Sequence, residues 1–356
     1  MEEREVIVVG SGPAGAACAR ALRDEGVDVL VLEKEALPRY KCCSGILFGQ
    51  TQELLTRYFG AGAPDSVRCH PEIIQASEIR QWKPDGSRGD LYCYEIDKDG
   101  QAFTPDFINI WRNSFDKWLL DMSGAPCRDQ SKVQGFEMET DGVRIAVAQP
   151  GPEGGSELRT YRCQYLIGAD GGNSMVRRLL QPGSFQTAKA AGNLQSYYRL
   201  ESLGKLTQGF SVFFLPQASD AFCCAHPKDG YLLLSVGGFR GIKLREAMET
   251  FRRFLVEEYG VGLGEKWRDE GCQMMFARPV LGEGRVILTG EAANFMYLNG
   301  EGIAVAIDSG YRCGQEVARA LREGGSPLPG YAENTRDIVA HMKKCMAQAN
   351  FVSPKA

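Results

Sequence analysis

The stretch Glu5-Val6-Ile7-Val8-Val9-Gly10-Ser11-Gly12-Pro13-Ala14-Gly15 decides the fold. Val6–Val9 is a short apolar run, as expected of a buried strand. It runs directly into a G-x-G-x-x-G turn. From Pro13 to Glu25, Ala17, Ala21 and Leu22 fall at helical spacing, and Gly26 sits where a helix C-cap belongs. Val27–Leu32 is a second continuous apolar run, the pattern of a parallel strand covered on both faces. In such a β-α-β unit Gly10 permits the tight turn, Gly12 lets a pyrophosphate approach the backbone, and Gly15 lets the helix pack on the strand. Pro13 and Ala14 open that helix, whose free N–H groups and positive dipole end face the phosphates. Glu33 ends the second strand 18 residues after Gly15, where a carboxylate can accept both ribose hydroxyls. An acid there disfavours a 2′-phosphate, so the nucleotide is FAD or NAD rather than NADP.

Outward from this unit the pattern becomes irregular. Residues 37–50 are rich in Gly, Ser and Cys, and residues 51–59 and 106–122 look helical. Residues 131–169 alternate like strands around a Gly/Pro turn at Gln149–Ser156. Strand-like runs recur over 185–240, among them Phe210–Leu215 and Tyr231–Val236. Lys243–Tyr259 is an amphipathic helix. Arg285–Leu288 reads as another buried strand, followed by a helix from about Ile303 to Arg322 and a further helix over 331–349. The strand-rich middle looks inserted into an α/β domain built from both ends of the chain.

Two distant segments carry further nucleotide-binding signals. Tyr165-Leu166-Ile167-Gly168-Ala169-Asp170-Gly171-Gly172-Asn173-Ser174 is a strand running into Ala-Asp-Gly, with Arg177 following. Arg285-Val286-Ile287-Leu288-Thr289-Gly290-Glu291 is a strand ending in Gly-acid, and Asn299-Gly300-Glu301-Gly302-Ile303 is a second glycine turn opening a helix. A helix N-terminus at that turn would stabilise negative charge on a reduced flavin ring. Together these segments resemble the para-hydroxybenzoate-hydroxylase-like superfamily of FAD-dependent enzymes, from the first residues to about Arg322. The resemblance implies FAD as cofactor, with Asp170 and Gly171 near the pyrophosphate. It implies Gly290 and Glu291 at the ribityl chain, with Glu where Asp is usual, and Gly300, Gly302 and Ile303 at the flavin. Arg112, in Asn109-Ile110-Trp111-Arg112-Asn113-Ser114-Phe115-Asp116, matches an arginine that bonds the cofactor. Lys34 and Val133 join the expected cofactor contacts.

Lys41-Cys42-Cys43-Ser44-Gly45 resembles the Lys-x-Cys-Gly-Gly segment of the geranylgeranyl reductase family. Lys41, Cys43 and Gly45 match, while Ser44 replaces the first glycine. Gly300–Ile303 also follows that family's Gly-Glu-Gly-Ile. The resemblance implies that Lys41, Cys43, Ser44 and Gly45 lie at the cofactor. A cysteine there can give a proton to a substrate carbon or simply pack against the ring; Lys41 can equally contact phosphate or ribityl. A third family element is eroded to Ala225-His226-Pro227-Lys228, with Cys224 at the tryptophan position. His226 is either an acid near neutral pH or a structural histidine.

Composition sets the outer bounds. The chain has 356 residues, 44% of them hydrophobic and 24% charged, as in soluble globular proteins. Its net charge of −4 gives no footprint for nucleic acid. No apolar run approaches the ~18 residues of a membrane span. The acidic start, Met1-Glu2-Glu3-Arg4-Glu5, lacks the basic character of a secretion signal. With no such signal, the 12 cysteines are expected to be reduced thiols. No C-x-x-C and only 3 histidines leave a structural zinc or iron–sulfur site unsupported, so no metal is expected.

The expected fold is α/β: a FAD-binding Rossmann-like (GR2-type) domain with an inserted strand-rich α+β substrate domain. The FAD-binding part is expected at 1–75, 106–184 and 276–356, the last including the terminal helix, and the substrate domain at 76–105 and 185–275. The expected activity is flavin-dependent reduction of C=C bonds in an apolar or isoprenoid-like small molecule, with Cys43, Lys41 and His226 as catalytic candidates. The alternatives are an aromatic hydroxylase and a non-catalytic carrier of lipid or protein on the same fold. NAD(P)H or another donor supplies the electrons. The location expected is the cytoplasm, with peripheral membrane association left open.

Overall fold

The first strand, β1 (Glu2–Val9), pairs in parallel with β2 (Val29–Leu32) on one side and β11 (Ser156–Gly168) on the other. Both faces of this sheet centre are covered, so Val6, Ile7, Val8 and all of β2 are buried. The crossover is α1 (Pro13–Asp24), and β2 begins at Val29, two residues into the apolar run Val27–Leu32. This is a computed structural model of the chain, and it describes residues 1–75, 80–83, 85, 87–90, 106–152, 154–185, 188–239, 241–297 and 301–349. Beyond β2 lies β8 (Cys127–Arg128), and beyond β11 lie β18 (Val286–Leu288) and β17 (Gly282–Glu283). The hairpin β9 (Lys132–Met138) and β10 (Val143–Pro150) adds antiparallel to β11.

A second sheet runs β16 (Gly262–Phe276), β12 (Lys189–Ser202), β15 (Tyr231–Phe239), β14 (Cys223–Lys228), β13 (Ser211–Phe213), β5 (Arg80–Trp82), β6 (Arg88–Asp90). It is antiparallel except where β13 meets β5. The helix α5 (Leu244–Tyr259) buries Ala247, Met248, Phe251 and Leu255 against it. Between the two sheets sits a short third one, β3 (Ile46–Leu47), β7 (Phe107–Ile110) and β4 (Arg68–Ile74). Of the segment 76–105, residues 76–79, 84, 86 and 91–105 lie outside the described residues. The strands of the first sheet come from 2–9, 29–32, 127–168 and 282–288, and those of the second from 80–90 and 189–276. The chain is therefore a mixed α/β protein whose parallel Rossmann-like layer is fed by distant parts of the sequence.

The remaining helices pack mainly around α1 and the first sheet. They are α2 (Gly49–Phe59), α3 (Arg112–Met122), α4 (Met175–Leu180), α6 (Ile303–Glu323), α7 (Leu328–Asn334) and α8 (Arg336–Ala349). Three elements differ from the sequence reading. Residues 107–110 form a strand rather than the start of a helix, because Phe107 and Ile110 pack inward and β7 pairs with both β3 and β4. The tail breaks into two helices at Thr335, whose hydroxyl bonds back to the Tyr331 carbonyl at 2.7 Å. The long strand β16 carries little apolar alternation and pairs instead along nearly all of β12. Among the described residues no helix is long and apolar enough to cross a membrane.

Candidate functional site

The glycine turn is built by close approach. Gly10 has φ +103°, and a Cβ on Gly15 would stand 1.9 Å from the Gly10 carbonyl oxygen. Only a residue with no side chain lets α1 start this near the end of β1. Gly12 is the N-cap of α1 and supplies no side-chain cap, and there is no acid in the first turn. The first N–H groups of α1 therefore face a cavity of about 1620 Å³ without an internal partner.

That cavity runs between the two sheets. Its wall includes Gly10, Gly12, Pro13, Ala14, Glu33, Lys34, Lys41, Cys43, Ser44, Arg112, Val133, Asp170, Gly171, Glu291, Gly302 and Ile303. Of the sequence-predicted residues, Gly15, Gly45, His226 and Gly290 stand behind the wall. Gly300 lies outside the described residues.

Glu33 is 3% exposed and held by several donors. Its Oε2 accepts from Ser11 N at 3.1 Å, from Ser11 Oγ at 2.7 Å and from Arg39 Nε at 3.2 Å; its Oε1 accepts from Glu35 N at 3.1 Å. Burial alone would push this carboxyl up, but Arg39 and the Ser11 donors outweigh it and hold it below its usual range. Arg39 also reaches Asp116 at 3.3 Å, and Asp116 grips Arg112 with two bonds of 2.8 and 2.9 Å. A buried relay Glu33–Arg39–Asp116–Arg112 thus joins the end of β2 to the start of α3. Sequence reading quoted Asp116 and Arg112 but missed Arg39, which sits in an irregular loop with no periodicity to mark it.

The Asp-Gly turn and the Gly-acid turn are tied together. Asp170 accepts from Ser174 Oγ at 2.5 Å and from the N–H groups of Met175 and Val176 at 2.6 and 3.2 Å, which caps α4. Burial pushes its carboxyl up. Arg177, 1% exposed, donates to the carbonyls of Gly172 at 2.9 Å and Ala292 at 3.0 Å and also to Asn294. The extra methylene of Glu291 is taken up beside a glycine: a Cβ on Gly172 would stand 2.5 Å from Glu291 Oε1. Gly290 packs on Ala14 under α1. The helix α6 has Gly302 as N-cap, again with no side-chain cap and no acid in its first turn, so a second helix N-terminus opens on the cavity.

The loop at Lys41–Gly45 is clamped from behind. His226 and Lys228 alternate along β14 and so point to one side. His226 Nε2 donates to the Ser44 carbonyl at 3.1 Å, and Lys228 Nζ donates to the same oxygen at 2.9 Å. Lys228 also donates to Asn109 Oδ1 at 2.9 Å and to the Ile110 carbonyl at 2.7 Å, which saturates a charged ammonium. Its charge lies 4.8 Å from the Trp111 ring. Gly45 has φ +72°, and a Cβ there would stand 2.1 Å from the Ile110 oxygen, so this glycine is required.

The expectation that His226 acts as an acid is corrected by its placement. It is fully buried, it does not line the cavity, and burial together with Lys228 drives its pKa down to about 3. A neutral imidazole that donates to Ser44 positions the loop. Cys43, in contrast, faces the cavity. Its sulfur accepts from Gly45 N at 3.4 Å and from the Arg112 guanidinium. Lys41 lines the same wall. Past the loop the cavity becomes apolar, lined by Ile46, Phe48, Phe210, Val212, Phe214, Phe222 and Cys224.

These residues fit a flavin dinucleotide. The turn and α1 suit a pyrophosphate, Glu33 suits a ribose, and the uncapped start of α6 suits an electron-rich ring edge. The architecture is that of FAD-binding oxidoreductases. The chain belongs to the family described as FAD binding domain, whose match spans residues 3–230, more than half of its length. It is 27% identical over 336 residues to Protein CbrA of Escherichia coli O9:H4 (strain HS), covering 90% of this chain and 82% of that protein. Among solved structures it is similar to a geranylgeranyl bacteriochlorophyll reductase-like protein from Thermoplasma acidophilum. The TM-score is 0.76 at 19% identity, over 100% of this chain and 93% of that one. It is also similar to the p-nitrophenol 4-monooxygenase PnpA from Pseudomonas putida DLL-E4, with TM-score 0.68 at 20% identity, over 100% and 91% of the two chains. At such identities the likeness to the two structures is one of fold.

Proposed function

We propose that the protein is a FAD-dependent reductase of carbon–carbon double bonds in an apolar, isoprenoid-like substrate. The observation that carries this reading is the placement of Cys43. It stands in the cavity wall between the nucleotide turn and the apolar pocket, with two donors aimed at its sulfur. Bound there and reduced, FAD would supply hydride-transfer chemistry to an alkene in the apolar pocket. Cys43 Sγ–H supplies the proton to one alkene carbon. Gly45 N–H and Arg112 stabilise the thiolate that this leaves, since hydrogen bonds to a charged acceptor are the stronger kind. His226 and Lys228 fix the loop so that the sulfur is held at the wall. Lys41 adds positive charge to the same wall. Gly10, Gly12, Glu33, Lys34, Val133, Asp170, Gly171, Glu291, Gly302 and Ile303 hold the dinucleotide, with Pro13 and Ala14 presenting the start of α1. Ile46, Phe48, Phe210 and Phe222 take the substrate's hydrocarbon and exclude water from the reacting carbons. NAD(P)H or another two-electron donor would supply the electrons.

The test is anaerobic. The reduced protein is mixed with candidate polyprenyl and phenolic compounds, and flavin reoxidation is followed by absorbance with the product analysed by mass. A polyprenyl substrate gaining two hydrogens supports the reading. Cys43→Ala is expected to keep the flavin and to lower turnover about a hundredfold, within the usual range for a general acid. Unchanged turnover in that variant removes the role given to Cys43. The fold likeness to a monooxygenase favours a second reading, aromatic hydroxylation. A hydroxylated phenol formed under air, with no polyprenyl reduction under argon, would establish it.

A further inference from the structure

The proposed reaction uses Cys43 and leaves its neighbour unassigned. Cys42 lines the cavity from the loop, and Cys272 lines it from β16 in the second sheet. Neither is in a disulfide, both are half-buried, and their thiols hydrogen-bond to each other across the seam between loop and strand. The seam is held in register by a second contact: the Arg268 guanidinium lies 4.2 Å from the Tyr40 ring. Arg268 and Cys272 are four residues apart on β16, and so share a face. Tyr40 and Cys42 meet that face two residues apart on the loop.

We propose that Cys42 and Cys272 form a peroxide-oxidised dithiol site, in which Cys272 is the attacking sulfur and Cys42 the resolving one. The Cys272 thiolate attacks one oxygen of hydrogen peroxide; an S–O bond forms, the O–O bond breaks, and hydroxide leaves and takes up a proton as water. Cys42 then attacks the Cys272 sulfur; the S–S bond forms, the S–O bond breaks, and the departing hydroxide takes the Cys42 proton as a second water. In sum, two thiols and one peroxide give one disulfide and two waters. The division of roles follows from the surroundings of each sulfur. Cys272 accepts from the Cys42 thiol and the Asn193 side chain and lies near the positive charge of Lys41, and these contacts favour its thiolate against the cost of burial and the nearby Glu291. Cys42 gives up its hydrogen bond to that thiolate and has Glu270 nearby, so its own proton is held.

The chain contains its own control. Cys18 in α1 and Cys313 in α6 also hydrogen-bond to each other, but both are 0% exposed in the packed helix interface. A thiol pair alone is therefore not enough; access from the cavity sets Cys42 and Cys272 apart.

The experiment treats the protein as purified with a small molar excess of hydrogen peroxide, alkylates the remaining thiols, and maps peptides by mass. The expected result is a Cys42–Cys272 linked peptide that disappears with dithiothreitol, with denatured free thiols falling from 12 to 10 and Cys18 and Cys313 still alkylated. In Cys42→Ser, dimedone is expected to trap a sulfenic acid on Cys272. Full alkylation of both cysteines after peroxide overturns the proposal. So does a disulfide that joins Cys42 to any other cysteine, or trapping on Cys42 in Cys272→Ser without trapping on Cys272 in Cys42→Ser. The wild-type map requires no substitution, so a variant that fails to fold does not blunt the test.

Discussion

At one end of the cavity, Gly10–Gly15 and Glu33 are neighbours in sequence and meet through backbone and small side chains. At the other, the Ser44 carbonyl is held by His226 and Lys228, 182 and 184 residues further along the chain. The first end is shaped by what is missing, since a Cβ on Gly15 has no room. The second is shaped by what is present, a buried ammonium whose three donors are all taken. The contrast teaches that the two ends should fail in different ways, one by losing the dinucleotide and the other by loosening the loop that carries Cys43.

The largest effect is expected from Gly15→Val. Overpacking against the Gly10 carbonyl should cost on the order of 3 kcal/mol and abolish flavin binding, read by denaturant unfolding and by loss of the flavin absorption bands. If this variant kept a full complement of flavin, the close approach would not be what builds the nucleotide end. Next comes Lys228→Met, which leaves Asn109 Oδ1 and the Ile110 carbonyl unpaired while His226 still serves Ser44. About 2 kcal/mol of stability should be lost, with flavin still bound and turnover reduced. Loss of flavin in this variant would erase the distinction between the two ends.

A pH titration sharpens the same contrast. The depressed pKa of His226, about 3 in place of 6.5, means that the unfolded chain takes up this proton before the folded one. Its contribution is complete above pH 6.5 and is lost as pH falls toward about 3, by up to about 1.4 kcal/mol per pH unit. His226→Asn keeps a donor for Ser44 and removes the titration, so the stability gap between wild type and variant should narrow as pH drops below 6.5. A gap that stays constant would place His226 in contact with solvent. The smallest effect is expected from Arg39→Gln. Glu33 loses its cation and the turn loses a guanidinium beside Gly12, and FAD affinity measured by fluorescence quenching should weaken about fivefold, near 1 kcal/mol.

How far each end is legible in the sequence follows from the same difference. The β-α-β unit is local, so spacing alone places Gly10, Gly12, Gly15 and Glu33, and the parallel layer follows from the apolar runs around them. The loop end is not local. Lys41, Cys43 and Gly45 can be picked out by resemblance, but nothing in residues 37–50 says that Ser44 is gripped from β14. Arg39 leaves no trace because its two carboxylate partners, Glu33 and Asp116, lie on different elements. His226 misleads for a related reason: a histidine titrates near neutrality by default, and only tertiary burial beside Lys228 holds it neutral down to acid pH.

Segments near residues 10, 43, 170, 291 and 302 are expected to close around one FAD. Native mass spectrometry of the purified protein, followed by denaturation, tests it most directly. The expected result is a single FAD per chain, released intact when the chain unfolds. A chain that carries no flavin, and takes up none when titrated with FAD, would contradict it.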